Sequence, residues 1–270
     1  MAYQNFKQTF WSKYIQHELK KRLILADWCN TKFQGEAKFG NQVKILGVGR
    51  PTVGNYTGAS IGTPENVQDT SVFLPIDQAK YFNFQVDDVD KAQSKEGLME
   101  ALMDEATYVM KAEIDTYIAS LAVNAGAFSN SLKISSASDA KSAVDAGILS
   151  LRENDVDIND DVVIELVPFV YQLLKDKYID LDTANSEMLK KGIVGYYDNC
   201  KVRVSNNLYN DGTDYYCMIR TKNAIAFVNQ IDKVEPYRPD DLFSDAVKGL
   251  SVFGAKVVRP KELYVIKAHK

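Results

Sequence analysis

The stretch SKEGLMEALMDEATYVMKAEIDTYIASLAVN, residues 94–124, carries the strongest secondary-structure signal in the chain. Its apolar residues recur at the spacing of one helix face: Leu98, Leu102, Val109, Ala112, Ile114, Tyr117, Ile118 and Leu121. Ser94 can cap the first turn, and Gly126 is placed to end the helix. At 1.5 Å per residue, about thirty residues make a rod of roughly 45 Å, far longer than the average helix. We therefore predict one long helix from Ser94 to about Asn124.

The segment before this helix has the pattern of a long hairpin. Residues 35–62 hold seven of the fifteen glycines and no cluster of aliphatic residues, so they cannot build a core. Apolar and polar residues alternate on both sides, with the apolar positions at Val43 and Ile45 and then at Phe82, Phe84 and Val86. We predict that these two segments are the paired strands of a projecting hairpin, which needs another surface to lie against.

The first 34 residues are predicted to be an amphipathic arm. They carry six basic residues against two acidic ones, and their apolar residues have helical spacing from Phe6 to Ala26. The basic residues are too scattered for a membrane patch. We expect the arm to dock on its own domain or to contact another subunit.

Residues 134–230 mix helical and strand patterns, which predicts a compact α/β subdomain. The helices are placed at 138–153 and 167–176, and the short strands at 162–164, 200–204, 217–220 and 225–228. The segments 250–258 and 263–266 are strand-like and rich in β-branched residues. The polar tail Lys267–Lys270 gives no local reason for order, and we expect a neighbouring subunit to hold it.

Composition excludes several classes of protein. The chain has 270 residues, 46% hydrophobic and 25% charged, with a net charge of −4. These values exclude a disordered chain, a fibrous repeat and a basic nucleic-acid binder. No apolar run reaches the roughly 18 residues of a membrane span, and the first residues lack the apolar segment expected of a signal peptide. Three sparse cysteines are expected to be reduced thiols of an intracellular protein.

Motifs that could carry chemistry each fail at a decisive position. The segment GRPTVG, residues 49–54, has phosphate-loop spacing, but Asn55 stands where the lysine belongs. A calcium-loop pattern begins at Asp155, but Asp160 replaces the required glycine and Leu166 replaces the bidentate glutamate. We read this segment as an acidic turn before a strand.

The remaining candidates for chemistry are three acids and two histidines. Asp87, Asp88 and Asp90 could serve acid–base work or hold magnesium, although acids also favour the start of a helix. The histidines are His17 and His269, and neither is well placed as a base for a nucleophile. We therefore predict no catalytic residue, no cofactor-binding residue, no metal ligand and no cofactor.

The order of these elements resembles that of the major capsid proteins of tailed double-stranded DNA phages, the Hong Kong 97-type fold. Segments that resemble coat-protein sequence are GEAKFG (35–40), VKI (43–45), PTVGNYTG (51–58), FNFQVDDVD (82–90), VRVSNNL (202–208), KVEPYRP (233–239), FSDAVKGL (243–250) and FGAKVVRP (253–260). They span nearly the whole chain, and their order is more specific than any one of them. The resemblance implies an α+β fold with an N-terminal arm, an extended β-hairpin loop, a long spine helix, a peripheral domain and an α/β axial domain.

The resemblance also divides the chain into domains. It implies an arm at 1–34, an extended loop at 35–86, a peripheral domain at 87–133 with return strands at 231–270, and an axial domain at 134–230. The implied function is a structural, non-enzymatic subunit that self-assembles as pentamers and hexamers into the icosahedral head of a tailed phage or prophage.

The implied partners are further copies of the chain, a scaffolding protein, a portal and head accessory proteins. Because Met1 leads directly into the arm, we expect the scaffold to be a separate protein. Packaged double-stranded DNA would be enclosed without sequence readout, and no membrane is involved. The implied location is the virion, after assembly in the host bacterial cytoplasm. Two alternatives stay open: an encapsulin-like nanocompartment shell, and a carboxylate-dependent enzyme that uses Asp87, Asp88 or Asp90.

Overall fold

The computed structural model describes residues 24–34, 40–48, 51–53, 55, 63, 69–87, 98–158, 162–178 and 193–270. Within them the helices are α1 (Leu98–Ser120), α2 (Ala137–Glu153) and α3 (Pro168–Tyr178). The strands are β1 (Gln42–Val48), β2 (Asp69–Pro75), β3 (Gln78–Asp87), β4 (Ala127–Phe128), β5 (Leu132–Lys133), β6 (Val162–Leu166), β7 (Ile193–Tyr197), β8 (Cys200–Val204), β9 (Tyr215–Thr221), β10 (Ile225–Tyr237), β11 (Ser244–Val257) and β12 (Leu263–His269).

The described strands form three sheets. A seven-stranded sheet has the order β4-β12-β9-β6-β8-β7, with β5 also paired to β12. A three-stranded sheet has the order β10-β11-β3, and β1 pairs with β2 alone. All five residues of β6 are buried, as expected for a strand covered on both faces. This central strand places the main core in the seven-stranded sheet.

Helix α2 lies directly on one face of that sheet, and glycine makes the close approach possible. A Cβ atom at Gly147 would lie 2.5 Å from Cδ1 of Ile219 and 2.9 Å from Cδ1 of Tyr264. The helix begins with a capping box, in which the Ser136 hydroxyl and the Asp139 carboxylate exchange hydrogen bonds with each other's backbone N–H groups. Because side chains alternate along a strand, Arg220 points to the opposite face from Ile219.

The predicted long helix is confirmed over its described part. Helix α1 continues into a 3-10 turn at Leu121–Asn124, while Ser94 and the predicted start lie outside the described residues. Gly126 follows the end of the helix and has a different role from the one predicted. Its N–H donates to the Pro260 carbonyl at 3.0 Å, and a Cβ atom there would lie 2.4 Å from that oxygen. Close approach of two backbones therefore explains the glycine.

The predicted pairing of the hairpin strands is wrong. The alternation is real, since Val43 and Ile45 are buried and Phe82, Phe84 and Val86 share the less exposed face of β3. However, β1 pairs with β2, in the register Val43 to Leu74, and β3 pairs with β11. Alternation reports which face is buried, and the partner strand is set by contacts distant in sequence.

Most of the helices and strands predicted within residues 134–230 are confirmed, and the last strand is longer than predicted. Helices α2 and α3 and strands β6, β8 and β9 lie where the patterns placed them. Strand β10 continues from Ile225 to Tyr237, with a register shift between Asn229 and Ile231. None of the described helices is long and apolar enough to cross a membrane.

The tail needs no neighbouring subunit for its order, which corrects our expectation. Strand β12 pairs antiparallel with β9 and parallel with β4 and β5, so Lys267–His269 belong to the seven-stranded sheet. The predicted arm falls mostly outside the described residues. Its described part, residues 24–34, contains a 3-10 turn at Ala26–Trp28. The spacing of apolar residues had instead placed Ala26 in the amphipathic helix.

Candidate functional site

The acidic residues considered for catalysis are not gathered into a site in the described structure. Asp87 is exposed at the end of β3, while Asp88 and Asp90 lie outside the described residues. Asp155 and Asp157 are exposed after α2, and the continuation of the calcium-loop pattern at residues 159–161 lies outside as well. In the part of the chain that the structure describes, no group of three His, Cys, Asp or Glu side chains could hold a metal ion.

The three cysteines are poor nucleophiles because all of them are buried. Burial raises the pKa of Cys29 to about 11 and the pKa values of Cys200 and Cys217 to about 12. The thiolate, which is the reactive form, is therefore scarce at neutral pH. These side chains serve as small apolar residues of the core.

A serine, an aspartate and a histidine do meet at the end of β12, although their geometry is not that of a proton relay. Asp214 Oδ1 lies 2.8 Å from His269 Nδ1, and the Ser131 hydroxyl lies 3.3 Å from the same nitrogen. The serine also donates to Asp214 at 2.9 Å. A catalytic triad needs the acid and the nucleophile on different ring nitrogens. The cluster instead ties the C-terminal strand to its neighbours.

A buried ion pair holds the chain near the C-terminal end of the arm, and the sequence analysis did not predict it. Arg220 and Glu165 are fully buried, with Nε and Nη2 of the arginine 2.9 and 2.8 Å from the carboxylate. The remaining arginine donors reach the carbonyl oxygens of Leu25 (3.0 Å) and Trp28. Burial opposes the charge of Arg220, but the adjacent carboxylate raises its pKa above the ordinary value. A charged residue in an apolar strand was the available signal, and its partner lies 55 residues away.

The spine helix holds the same segment from its other side. Asp115 of α1, only 1% exposed, accepts hydrogen bonds from the N–H groups of Ile24 (3.0 Å) and Ala26 (2.9 Å). Burial raises its pKa, against the lowering effect of these two donors. Asn30 adds a bridge to β10, where its N–H donates to Ile225 and its carbonyl accepts from Phe227. The residues 24–30, which we call the arm root, are thus attached to the helix and to both larger sheets.

Replacement of Asp115 by alanine is expected to loosen the arm root. Two buried N–H groups would lose their acceptor, and a buried unsatisfied group costs about 1–3 kcal/mol. We expect a loss of that size in the free energy of unfolding and faster tryptic cleavage after the exposed Lys32. Glu113→Ala is the control, because it removes only an exposed ion pair to Lys80. Equal effects from the two variants would contradict the assignment.

The hairpin β1–β2 is anchored through one face and presents apolar side chains on the other. Val43, Ile45, Leu74 and Ile76 form a small second core with Ala226 and Val228 of β10. At the base, Lys256 Nζ donates to the Phe73 carbonyl at 2.9 Å, and Ile76 N–H donates to Asn41 at 2.8 Å. On the opposite face, Leu46 is 65% exposed and Phe73 is 45% exposed. Lys44 Nζ lies 5.9 Å from the centre of the Phe73 ring, but both apolar side chains stay largely exposed, and such a surface is suited to a protein contact.

The three-stranded sheet has a second exposed surface. Tyr81 is 80% exposed on β3, and Leu250 stands opposite it on β11 with its side chain on the same face. The other face is partly covered, since Phe82 and Phe84 stack on each other and Phe253 meets Tyr117 of α1 edge to face. At the end of the sheet, Phe243 in the turn between β10 and β11 is 82% exposed. The described surface is therefore rich in exposed apolar groups and poor in catalytic arrangements.

No protein-family model and no curated protein matches the sequence. Several solved structures match it over almost its full length. The capsid of cyanophage P-SCSP1u is 15% identical, with 98% of this chain and 94% of that chain covered and a TM-score of 0.78. The mature capsid of bacteriophage PhiM1 is 14% identical, with 98% and 93% covered and a TM-score of 0.74. At identities this low, the similarity to these two structures establishes the fold alone.

A chain of Mycobacterium phage Che8 is closer in sequence. It is 30% identical, with 98% of both chains covered and a TM-score of 0.81. The chain belongs to the major capsid proteins of tailed phages. The predicted α+β, Hong Kong 97-type fold is confirmed, and this capsid protein is a structural component of the icosahedral head. The similarity favours neither the nanocompartment shell nor the carboxylate-dependent enzyme.

Membership of this family explains why so many apolar side chains are exposed on a single subunit. A capsid protein assembles with copies of itself into a shell, and its place is the capsid of the virion. Surfaces that a solitary subunit leaves in water are covered when the shell closes. The functional site of this capsid protein is therefore its set of assembly surfaces.

Proposed function

We propose that this capsid protein forms pentamers and hexamers that close into an icosahedral head around double-stranded DNA. The full-length similarity to a phage chain at 30% identity carries the proposal. The role is structural and without catalysis, which the high pKa values of the buried cysteines and the geometry at His269 support. The net charge of −4 supports the proposal that the shell encloses DNA without binding a particular sequence. Assembly would take place in the host cytoplasm with a scaffolding protein, a portal and accessory proteins.

The domain division is part of the proposal. We assign residues 1–34 to the arm, 35–86 to the extended loop, 87–133 and 231–270 to the peripheral domain, and 134–230 to the axial domain. The register shift in β10 between Asn229 and Ile231 falls at one of these boundaries. Strand β12, from the peripheral range, pairs with β9 of the axial range. The two domains thus share a sheet, and we expect them to move as one body.

Electron microscopy of the full chain, expressed alone and with the other head proteins of its phage, tests the function. We expect closed particles of uniform size that protect double-stranded DNA from nuclease when packaging proteins are present. A subunit that stays monomeric under all these conditions would refute the proposal. Particles that hold protein cargo and no DNA would instead support the nanocompartment shell.

The outer face of the hairpin is expected to lie across a neighbouring subunit. Leu46→Ser and Phe73→Ser together remove the exposed apolar side chains while leaving the buried face with Val43 and Leu74 intact. We expect at least a tenfold loss of particles and an unchanged circular dichroism spectrum of the free subunit. Leu149→Ser, at an exposed position of α2 outside this surface, is the control. Normal particle yield from the hairpin variant would rule out this contact.

A further inference from the structure

The exposed face of the three-stranded sheet contains a shallow, open cavity. The register places Tyr81, Leu250 and Lys233 side by side across the three strands, and Asn83, Lys248 and Glu235 form the next row. These six residues, which we call the socket, line a cavity of about 360 Å³. That volume is at the lower end of small-molecule pockets, which span roughly 300–1,000 Å³, and it suits a single aromatic side chain.

The socket is apolar at its centre and positive at its rim. Tyr81 and Leu250 supply apolar surface, while Lys248 lies 3.6 Å from Glu235 and 5.3 Å from the ring centre of Tyr237. Lys233 adds a further exposed cation. An aromatic group flanked by carboxylates is the chemistry that this arrangement would bind.

The turn between β10 and β11 presents such a group. Residues 238–243, which we call the tip, carry Phe243 at the most exposed position among the large aromatic residues described. Arg238 lies 3.7 Å from Asp245, so the exposed carboxylates of Asp240 and Asp241 give the tip its negative charge. The tip is therefore complementary to the socket in shape and in charge.

A subunit cannot place its own tip in its own socket. Lys248 is five positions after Phe243 along an extended strand, which is about 17 Å at 3.4 Å per residue. The tip is also the far end of the same hairpin that forms the socket. The occupant must come from another molecule, and a second copy carries the matching group.

We propose that the tip of one subunit inserts Phe243 into the socket of a neighbouring subunit. The contact is heterologous, so every subunit gives one tip and receives one. Asp240 and Asp241 then face Lys233 at the rim. The inference rests on the proposed function, because assembly is what brings the copies together.

Cysteine crosslinking in assembled particles tests the contact directly. Asn83→Cys and Leu242→Cys are combined in one chain that keeps Tyr81 and Phe243, and its particles are treated with a short bismaleimide crosslinker. The background is low because the native cysteines are buried. We expect crosslinked oligomers at least tenfold above each single variant and above a matched Leu149→Cys, Leu242→Cys pair. Both positions are exposed, so the fold should tolerate the changes.

A charge exchange gives a second measurement. Lys233→Asp alone and Asp241→Lys alone are each expected to reduce particle yield about tenfold, and the double variant is expected to restore it. If the wild type forms particles but the double-cysteine variant gives no specific crosslink, or the charge exchange gives no rescue, this inference alone is overturned. Crosslinking of the single Leu242→Cys variant to itself would show that tips meet tips and would also overturn it. Absence of wild-type particles would overturn the proposed function as well.

Discussion

Replacement of Arg220 by leucine is expected to lower the free energy of unfolding of the subunit by about 3–5 kcal/mol. The change leaves Glu165 fully buried without its cation, and the loss of one partner of a buried pair typically costs that much. The carbonyl oxygens of Leu25 and Trp28 lose their donors at the same time. Denaturant unfolding of the unassembled subunit measures the effect.

Arg152→Leu is the matched control for this prediction. It makes the same change of side chain in an ion pair with Asp198, in which both side chains are about half exposed. Exposed pairs contribute about 0–1 kcal/mol, so the control should unfold almost as the wild type does. If the two leucine variants lost similar stability, the buried pair would not be the anchor described above.

Gly254→Ala is expected to cost about 3 kcal/mol and to abolish particle formation. The added Cβ would lie 2.0 Å from the Pro75 carbonyl oxygen and 3.0 Å from the Ile76 Cα, and neither backbone atom can move aside cheaply. The junction between β2 and β3 crosses β11 at this point. We expect the hairpin to separate from the sheet while the seven-stranded core stays folded.

A loss of stability at Gly254 would point to a steric clash, because a change from glycine to alanine in a strand usually stabilises a protein by restricting the unfolded chain. Gly212→Ala is the control that measures backbone strain without a clash. Its φ is +97° and no atom lies within 4 Å of the added Cβ, so only backbone strain of about 1 kcal/mol is expected. A Gly254→Ala variant that is more stable than the wild type and still forms particles would refute the close contact between Gly254 and the β2–β3 junction.

Local patterns in the sequence predicted the long helix and most of the longer strands, did not predict β2 or β7, and missed the pairings between strands. Helix α1 follows from its own periodicity, and burial alternates on β1 and β3 as Val43 and Phe82 indicated. The true partner of β1 is β2, in which Val72, Phe73 and Leu74 are consecutive apolar residues, so its sequence lacks the alternation that β3 shows. The local pattern therefore favoured β3, whereas pairing depends on which faces can be buried together.

The assembly surfaces were predictable only in part. Glycine content and alternation indicated a projecting hairpin, but exposure of Leu46 and Phe73 depends on which face meets β10. The socket joins three strands that are distant in the chain, so no sequence pattern could bring Tyr81, Lys233 and Leu250 together. The family resemblance predicted the function, and the strand registers of the structure identified the residues of the socket.

The arm root also sets an order of events during synthesis. Leu25 is bonded to a side chain 195 positions later in the chain, and Ile24 to one 91 positions later. Contacts of such sequence separation form late, because the intervening chain must first be made and closed into a loop. The arm root therefore cannot complete its contacts until residue 220 has left the ribosome and its sheet has folded. A half-made chain lacks this anchor, so the arm root reaches its final position only when most of the chain has been translated.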